Sequence, residues 1–220
     1  MAGFAGPGYR RGMDTREPEP GGATPLATRT STALLSGLRD PADARAWGAW
    51  VERFSPLLIR YARRVGLGVE DAEDVAQATL LAFSEAYRAG RYDRERGRLR
   101  TWLYGIAINK VREARRRRRD VVPGDTAAED AVFGGLTAPD EQEAAWEAEW
   151  RDAVLRQCLE QVRSEVEART FRAFELVARE GRDPAEVGRE LDLSRDAVYA
   201  AKRRVLRRVR ELAPAIDEIW

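Results

Sequence analysis

The sequence predicts an all-α protein: two small helical domains joined by a flexible acidic linker, behind a disordered N-terminal tail. Apolar residues recur at three- and four-residue spacing through most of residues 30–119 and 141–212, the period of one helix face. No apolar/polar alternation runs longer than a few residues, so no strand is expected. Between the two periodic stretches, residues 120–140 hold Pro123, Gly124, Gly134, Gly135 and Pro139 and read as a linker.

Residues 1–29 are rich in glycine, proline and small polar residues and have little apolar periodicity. Such a segment buries too little surface to offset its ordering entropy, so it is expected to be disordered. The first domain, 30–119, opens with a short helix over Ser31–Leu38. Asp40-Pro41 is expected to start the next helix, since proline suits a first turn. Ala46, Trp50, Phe54, Leu57, Leu58, Tyr61 and Val65 give that helix a buried face; Pro56 is a candidate kink. A second helix runs over about 70–89, with Glu70, Asp71, Glu73 and Asp74 at its start, where carboxylates favour the positive end of the macrodipole. Gly90 closes it. A third helix, about 98–119, buries Leu99, Leu103, Ile106 and Val111. The second domain, 141–220, reads as helices over about 141–163, 165–180, 184–191 and 195–212. Its first helix carries Trp146 and Trp150 four residues apart, which leaves docking on the chain itself or on a partner open.

Several chemistries are absent. There is no histidine, which excludes histidine acid–base catalysis, most zinc sites and Ser-His or Cys-His triads. No catalytic residues, metal ligands or cofactors are expected, and an enzyme is the remote reading. Cys158, the one cysteine, sits beside Leu155, Leu159 and Val162 and reads as a core residue in a reducing compartment. No apolar run approaches the roughly 20 residues that span a bilayer. Arg10-Arg11 is followed by Gly12-Met13-Asp14-Thr15, not by an apolar stretch. The expected location is cytoplasmic, with no membrane insertion.

The 38 Lys+Arg and 37 Asp+Glu nearly cancel, for a formal net charge of +1, which on average argues against a nucleic-acid partner. The charge is segregated, however. Arg98, Arg100, Lys110, Arg112 and the run Arg115–Arg119 face Glu113 alone; residues 120–152 carry ten acids against Arg151; seven bases from Arg195 to Arg210 face Asp196 alone. Five consecutive arginines cover every side of a helix and repel one another, which favours a polyanion beside them.

Near the C-terminus, Asp183-Pro184 opens a short helix ending at Leu191. Asp192-Leu193-Ser194 makes a turn, and Ser194 is a good N-cap. The helix after it turns Val198, Ala201, Val205 and Val209 inward and leaves Ser194, Arg195, Tyr199, Lys202, Arg203 and Arg204 facing outward. This is a helix-turn-helix arrangement, whose second helix presents its early side chains to base edges in the major groove.

At these residues the chain resembles a family. Asp71-Ala72-Glu73-Asp74-Val75-Ala76-Gln77 is similar to the DAEDLVQ helix of bacterial sigma-70-type RNA polymerase sigma factors, and Arg100-Thr101-Trp102-Leu103-Tyr104-Gly105-Ile106-Ala107-Ile108-Asn109 to their TWLYRIAxN helix. The arginine tract and the late helix-turn-helix follow in the expected order. The likeness is closest to the two-domain, extracytoplasmic-function group. It implies that the first domain is region 2, which binds core RNA polymerase through Asp71, Asp74, Gln77, Leu81 and Ser84. It implies that Arg98, Arg100, Trp102, Asn109, Lys110, Arg112, Arg115 and Arg116 bind and help to melt the −10 promoter element. Region 4 would then read the −35 element, and an anti-sigma factor is a further candidate partner. Gly105 and Tyr199 depart from the pattern, since family members often carry a base at each position. Two rival readings are a helix-turn-helix regulator that ignores core polymerase and an all-α protein-interaction module.

Overall fold

A computed structural model describes residues 35–93, 95, 97–121 and 138–219. The expected tail and most of the expected linker lie outside these residues. All regular structure among them is helical. After a helical turn at 35–37, α1 spans Ala44–Arg64, α2 Val69–Arg88 and α3 Leu99–Val121. Then come α4 (Pro139–Glu165), α5 (Ala168–Phe174, continued as a π-helical turn over Glu175–Arg179), α6 (Pro184–Leu191) and α7 (Arg195–Ile219).

The first three helices form the N-terminal bundle. The start of α1 differs from the expectation at Asp40-Pro41. Asp43 is the cap, its carboxylate accepting from the backbone N–H groups of Arg45 (3.1 Å) and Ala46 (2.9 Å). Asp40 instead accepts from Ala42 N–H in the preceding turn. Pro56 lies within the unbroken run of α1. Trp50, Phe54, Leu57, Leu58 and Tyr61 on α1 bury against Val75, Leu80 and Phe83 of α2 and Leu103, Ala107 and Val111 of α3. The Trp50 ring stacks on Phe83 at 4.3 Å.

Helix α4 has 27 residues and is roughly 40 Å long. Its proline sits in the first turn with Asp140 and Glu141, a favourable start on both counts. That length lets it serve both halves of the molecule. Toward its N-terminus, Trp146 meets Tyr61 edge-on at 5.3 Å and Tyr104 at 5.6 Å, and Trp150 lies 6.4 Å from Phe54. Toward its C-terminus, Val154, Cys158 and Val162 pack with Phe171, Phe174, Val205, Val209 and Leu212. The two tryptophans, whose partner the sequence leaves open, therefore dock on the N-terminal bundle. Glu149, between them and only 7 % exposed, receives Arg60 and Arg64 of α1, each at 3.0 Å.

The last helix is longer than the expected end at 212. Pro214 lies inside it, and the turn beyond is held by buried Ile216 and by Asp217, which accepts the Trp150 indole N–H at 3.0 Å. Arg208 ties α7 to the end of α4 through Glu165 at 2.6 Å. Cys158 is buried, and burial pushes its thiol up to about 11, in keeping with a core residue. No helix among the described residues is long and apolar enough to cross a membrane.

A separate small cluster, Ala173, Leu176, Val187, Val198 and Ala201, joins α5, α6 and α7. Asp183 caps α6 through Ala185 and Glu186 N–H, and Asp192 takes the left-handed conformation (φ 52°) that ends it. The chain then folds tightly enough for Leu193 N–H to reach the Gly188 carbonyl at 2.8 Å. A Cβ on Gly188 would stand 2.6 Å from the Leu193 carbonyl oxygen, a backbone atom that cannot swing aside. Gly188→Ala is therefore expected to destabilise the C-terminal bundle by about 1–3 kcal/mol. Thermal unfolding checks this. Gly105→Ala is the control: its Cβ meets nothing within 4 Å, so stability should hold or rise by roughly 0.5–1 kcal/mol from helix propensity.

Candidate nucleic-acid interface

A cavity of about 450 Å³ opens where the loop before α3 meets the helix, lined by Arg91, Tyr92, Asp93, Gly97, Arg98, Thr101, Trp102, Gly105, Ile106 and Asn109. Trp102 and Asn109 are seven residues apart, two helical turns, and so share one face. The structure brings both to this cavity. Trp102 is half-buried. Its inner side lies against Phe83 at 4.8 Å, and Tyr92 stacks on it at 5.0 Å with 22° between planes. Asn109 is exposed and offers both an amide donor and a carbonyl acceptor. Gly105 adds no side chain between them and leaves the wall open. An aromatic platform, a carboxamide and adjacent guanidinium groups are what stacking and edge recognition of an unpaired base require.

The cations around this cavity are not equivalent. Arg98 stands 3.8 Å from Asp217, and Arg100 lies 3.2 Å from Glu147 and 3.6 Å from Asp217. Lys110 pairs with Glu113 at 2.9 Å, a hydrogen bond that holds the Glu113 carboxyl below the usual carboxylate range. The arginine tract divides by helix phase. Arg115 turns inward and donates to the Val65 carbonyl at the end of α1, and Arg118 pairs with Asp71 at 2.6 Å. Arg112, Arg116 and Arg117 are exposed.

On α2, Asp74 and Gln77 are exposed and Leu81 is 51 % exposed, together on one outer face. Two other expected members of that face are less available. Asp71 is engaged by Arg118. Ser84 is buried at 3 %, because it follows Leu80 by four residues and falls on the core side of the helix. Tyr92 is a cavity residue that sequence reasoning missed; its signal was an aromatic in an otherwise charged and glycine-bearing loop.

In the helix-turn-helix, the Ser194 hydroxyl accepts from Ala197 N–H at 3.1 Å, so its role in the structure is the cap. Arg195, Tyr199, Arg203 and Arg204 are exposed, Lys202 is half-buried, and Val198, Ala201, Val205 and Val209 are buried. The Arg195 guanidinium lies 5.7 Å over the Tyr199 ring, and the nearby Tyr199 side chain raises its pKa. One guanidinium is thereby held at the start of the recognition helix.

The chain also has likenesses to known proteins. Residues 50–121 match the model of sigma-70 region 2, a span that holds most of α1 and all of α2 and α3. The extracytoplasmic-function RNA polymerase sigma factor RpoE of Cereibacter sphaeroides is 25 % identical over 142 residues, covering 64 % of this chain and 74 % of that protein. The solved structure of CnrH, determined in complex with the cytosolic domain of CnrY, is 22 % identical and covers 86 % of this chain and 97 % of CnrH, at a TM-score of 0.32. Residues 50–121 are thus a sigma-70 region 2, and the chain beyond them is similar to a sigma factor of the extracytoplasmic-function group.

Proposed function

We propose that the protein binds core RNA polymerase, directs it to promoters with −10 and −35 elements, and helps to open the −10 duplex. The observation that supports this best is the cavity shared by Trp102, Tyr92 and Asn109, with Arg91 and Arg98 at its edge. Extruding a base costs a few kcal/mol of stacking and pairing, which a pocket must return. Here an aromatic face offers stacking, Asn109 offers an edge contact, and exposed Arg112 and Arg116 offer phosphate contacts along the same helix. The exposed Asp74, Gln77 and Leu81 of α2 form the surface for core polymerase: an apolar side chain ringed by polar groups suits a protein partner. Arg195, Tyr199, Lys202, Arg203 and Arg204 read and hold the −35 duplex. The chemistry of RNA synthesis belongs to the polymerase. Transcription in vitro tests the reading. Purified protein plus core enzyme should yield promoter-dependent transcripts from a genomic DNA library, and the protein should co-purify with core. A helix-turn-helix regulator of another kind would bind duplex DNA and leave core enzyme behind.

Asn109→Ala should lose about 1–3 kcal/mol of base recognition, roughly a 5- to 150-fold fall in promoter opening. Permanganate footprinting of unpaired thymines reads opening, and co-purification should show core binding unchanged. Equal loss of both would assign Asn109 a structural role.

Arg195→Ala should cost about 1–3 kcal/mol at one position of the −35 element and relax base preference there alone. Selection of bound duplexes from a randomised pool, compared between wild type and variant, checks this. A uniform loss across all positions would make Arg195 a phosphate contact.

A further inference from the structure

Arg195 is the first residue of α7 and Tyr199 follows it by four, so the two side chains are neighbours on one outward face while Val198 between them is buried. The guanidinium stands 5.7 Å from the centre of the tyrosine ring, within the roughly 6 Å at which an aromatic face holds a cation. We infer that Tyr199 is a positioning residue for base recognition: its ring holds Arg195 by one flat face and leaves the donor edge of the guanidinium for a base, so that Tyr199 sets sequence preference through Arg195 and not by a contact of its own. The inference rests on the −35 reading proposed above.

Other arginines of the C-terminal bundle are held differently. Arg172 is paired with Glu175 at 3.7 Å and Glu180 at 3.3 Å, Arg182 with Glu190 at 2.6 Å, and Arg208 with Glu165 at 2.6 Å and Glu211 at 3.2 Å. A carboxylate takes the N–H groups at the edge of a guanidinium, the same edge that meets acceptors on a base. A ring takes the flat face, which carries no N–H. Those arginines are therefore ordered at the cost of their donors, whereas Arg195 is ordered with its donor edge open. Among the described residues no carboxylate pairs with Arg195, although Asp196 is its neighbour in sequence.

Ordering matters most at this place in the helix. The first residues of a recognition helix reach base edges, and later ones meet phosphates. Reading a base edge with two acceptors needs the planar fork in one orientation. A free arginine has among the largest rotamer entropies of any side chain, and binding must remove it. A guanidinium already held by a ring has lost part of that freedom before DNA arrives. Arg203 and Arg204, further along α7, have neither a ring nor a carboxylate partner among the described residues, which suits the less exacting contact with phosphate.

The test uses the full chain and a pool of randomised duplexes, selected by binding and then sequenced. Tyr199 is 39 % exposed, so its variants should keep the wild-type thermal unfolding. Arg195→Ala should flatten base preference at one position. Tyr199→Ala should weaken preference at that same position about two- to fivefold and leave the other positions alone. Tyr199→Phe keeps the ring and should keep the wild-type preference; Tyr199→Leu keeps bulk without the ring and should behave as Tyr199→Ala does. The double variant Arg195→Ala/Tyr199→Ala should match Arg195→Ala, since the ring then has nothing to hold. The proposal is overturned if Tyr199→Ala alters a position that Arg195→Ala leaves alone, or alters none. It is equally overturned if Tyr199→Phe loses as much as Tyr199→Ala, if Tyr199→Leu retains the preference, or if the double variant loses more than Arg195→Ala. Those outcomes leave the −35 reading standing. A wild-type chain that enriches no sequence from the pool overturns both.

Discussion

The burial of Trp146 and Trp150 against α1 and α3 is the constraint on which the rest of the arrangement depends. A tryptophan buries about 150–250 Å², which at about 25 cal/mol per Å² is roughly 4–6 kcal/mol for each ring before ordering costs. Both are at most 1 % exposed. The surrounding ion pairs are weaker: Arg60 and Arg64 are themselves 36 % and 51 % exposed, and such pairs contribute about 0–1 kcal/mol. Aromatic burial therefore sets how firmly α4 is held. The charges set its register, since Glu149 fits only where two guanidinium groups converge. Once α4 is placed, its second half fixes α7, and α7 brings Asp217 to Arg98 and Arg100.

The same helix α3 shows how one cationic segment serves two ends. Helix phase turns Arg115 and Arg118 back to the Val65 carbonyl and Asp71, where they bind the end of α1 and the start of α2. Phase turns Arg112, Arg116 and Arg117 outward. A carbonyl at a helix C-terminus and a carboxylate in a first turn are both electrostatically suited to a guanidinium. The inner arginines brace the bundle, and that bracing keeps the outer ones in line with the cavity.

The helical fold was legible because its signals are local. The capped α6, the Asp192 turn and the buried face of α7 follow from Pro184, Ser194 and a period of three and four. Trp102 and Asn109 were legible as one face from their spacing alone. Contacts between distant segments were not. Ser84 shares the inward phase of Leu80 four residues before it, but a small hydroxyl side chain gives no apolar signal of burial. Tyr92 joins the cavity only because a loop folds over α3. Helix α7 runs past the expected end at 212 and through Pro214: a proline removes one helical hydrogen bond, while Ile216 and Asp217 gain a buried contact and an indole bond. The partner of Trp146 and Trp150 lies more than forty residues away on α1 and α3, beyond any periodicity argument.

The formal charge of +1 takes on a physical meaning at this seam. Closing the chain brings the cationic start of α3 and the arginines of α1 against α4, and a face of like sign there would repel them. The α4 face instead carries Glu147 and Glu149, with Asp217 supplied from α7, so the carboxylates that neutralise the total stand opposite the bases they cancel. The seven bases of 195–210 have Arg208 matched to Glu165 and Glu211, while Arg195, Arg203 and Arg204 stay outside. Near-neutrality is thus a local pairing at the interface and not an even mixture over the surface. A chain arranged this way presents little net field at long range, yet keeps the cationic side of α7 exposed at short range. The two cationic helices differ in how far their bases are paired for a reason that lies in where the acids sit, and total charge alone carries no trace of that difference.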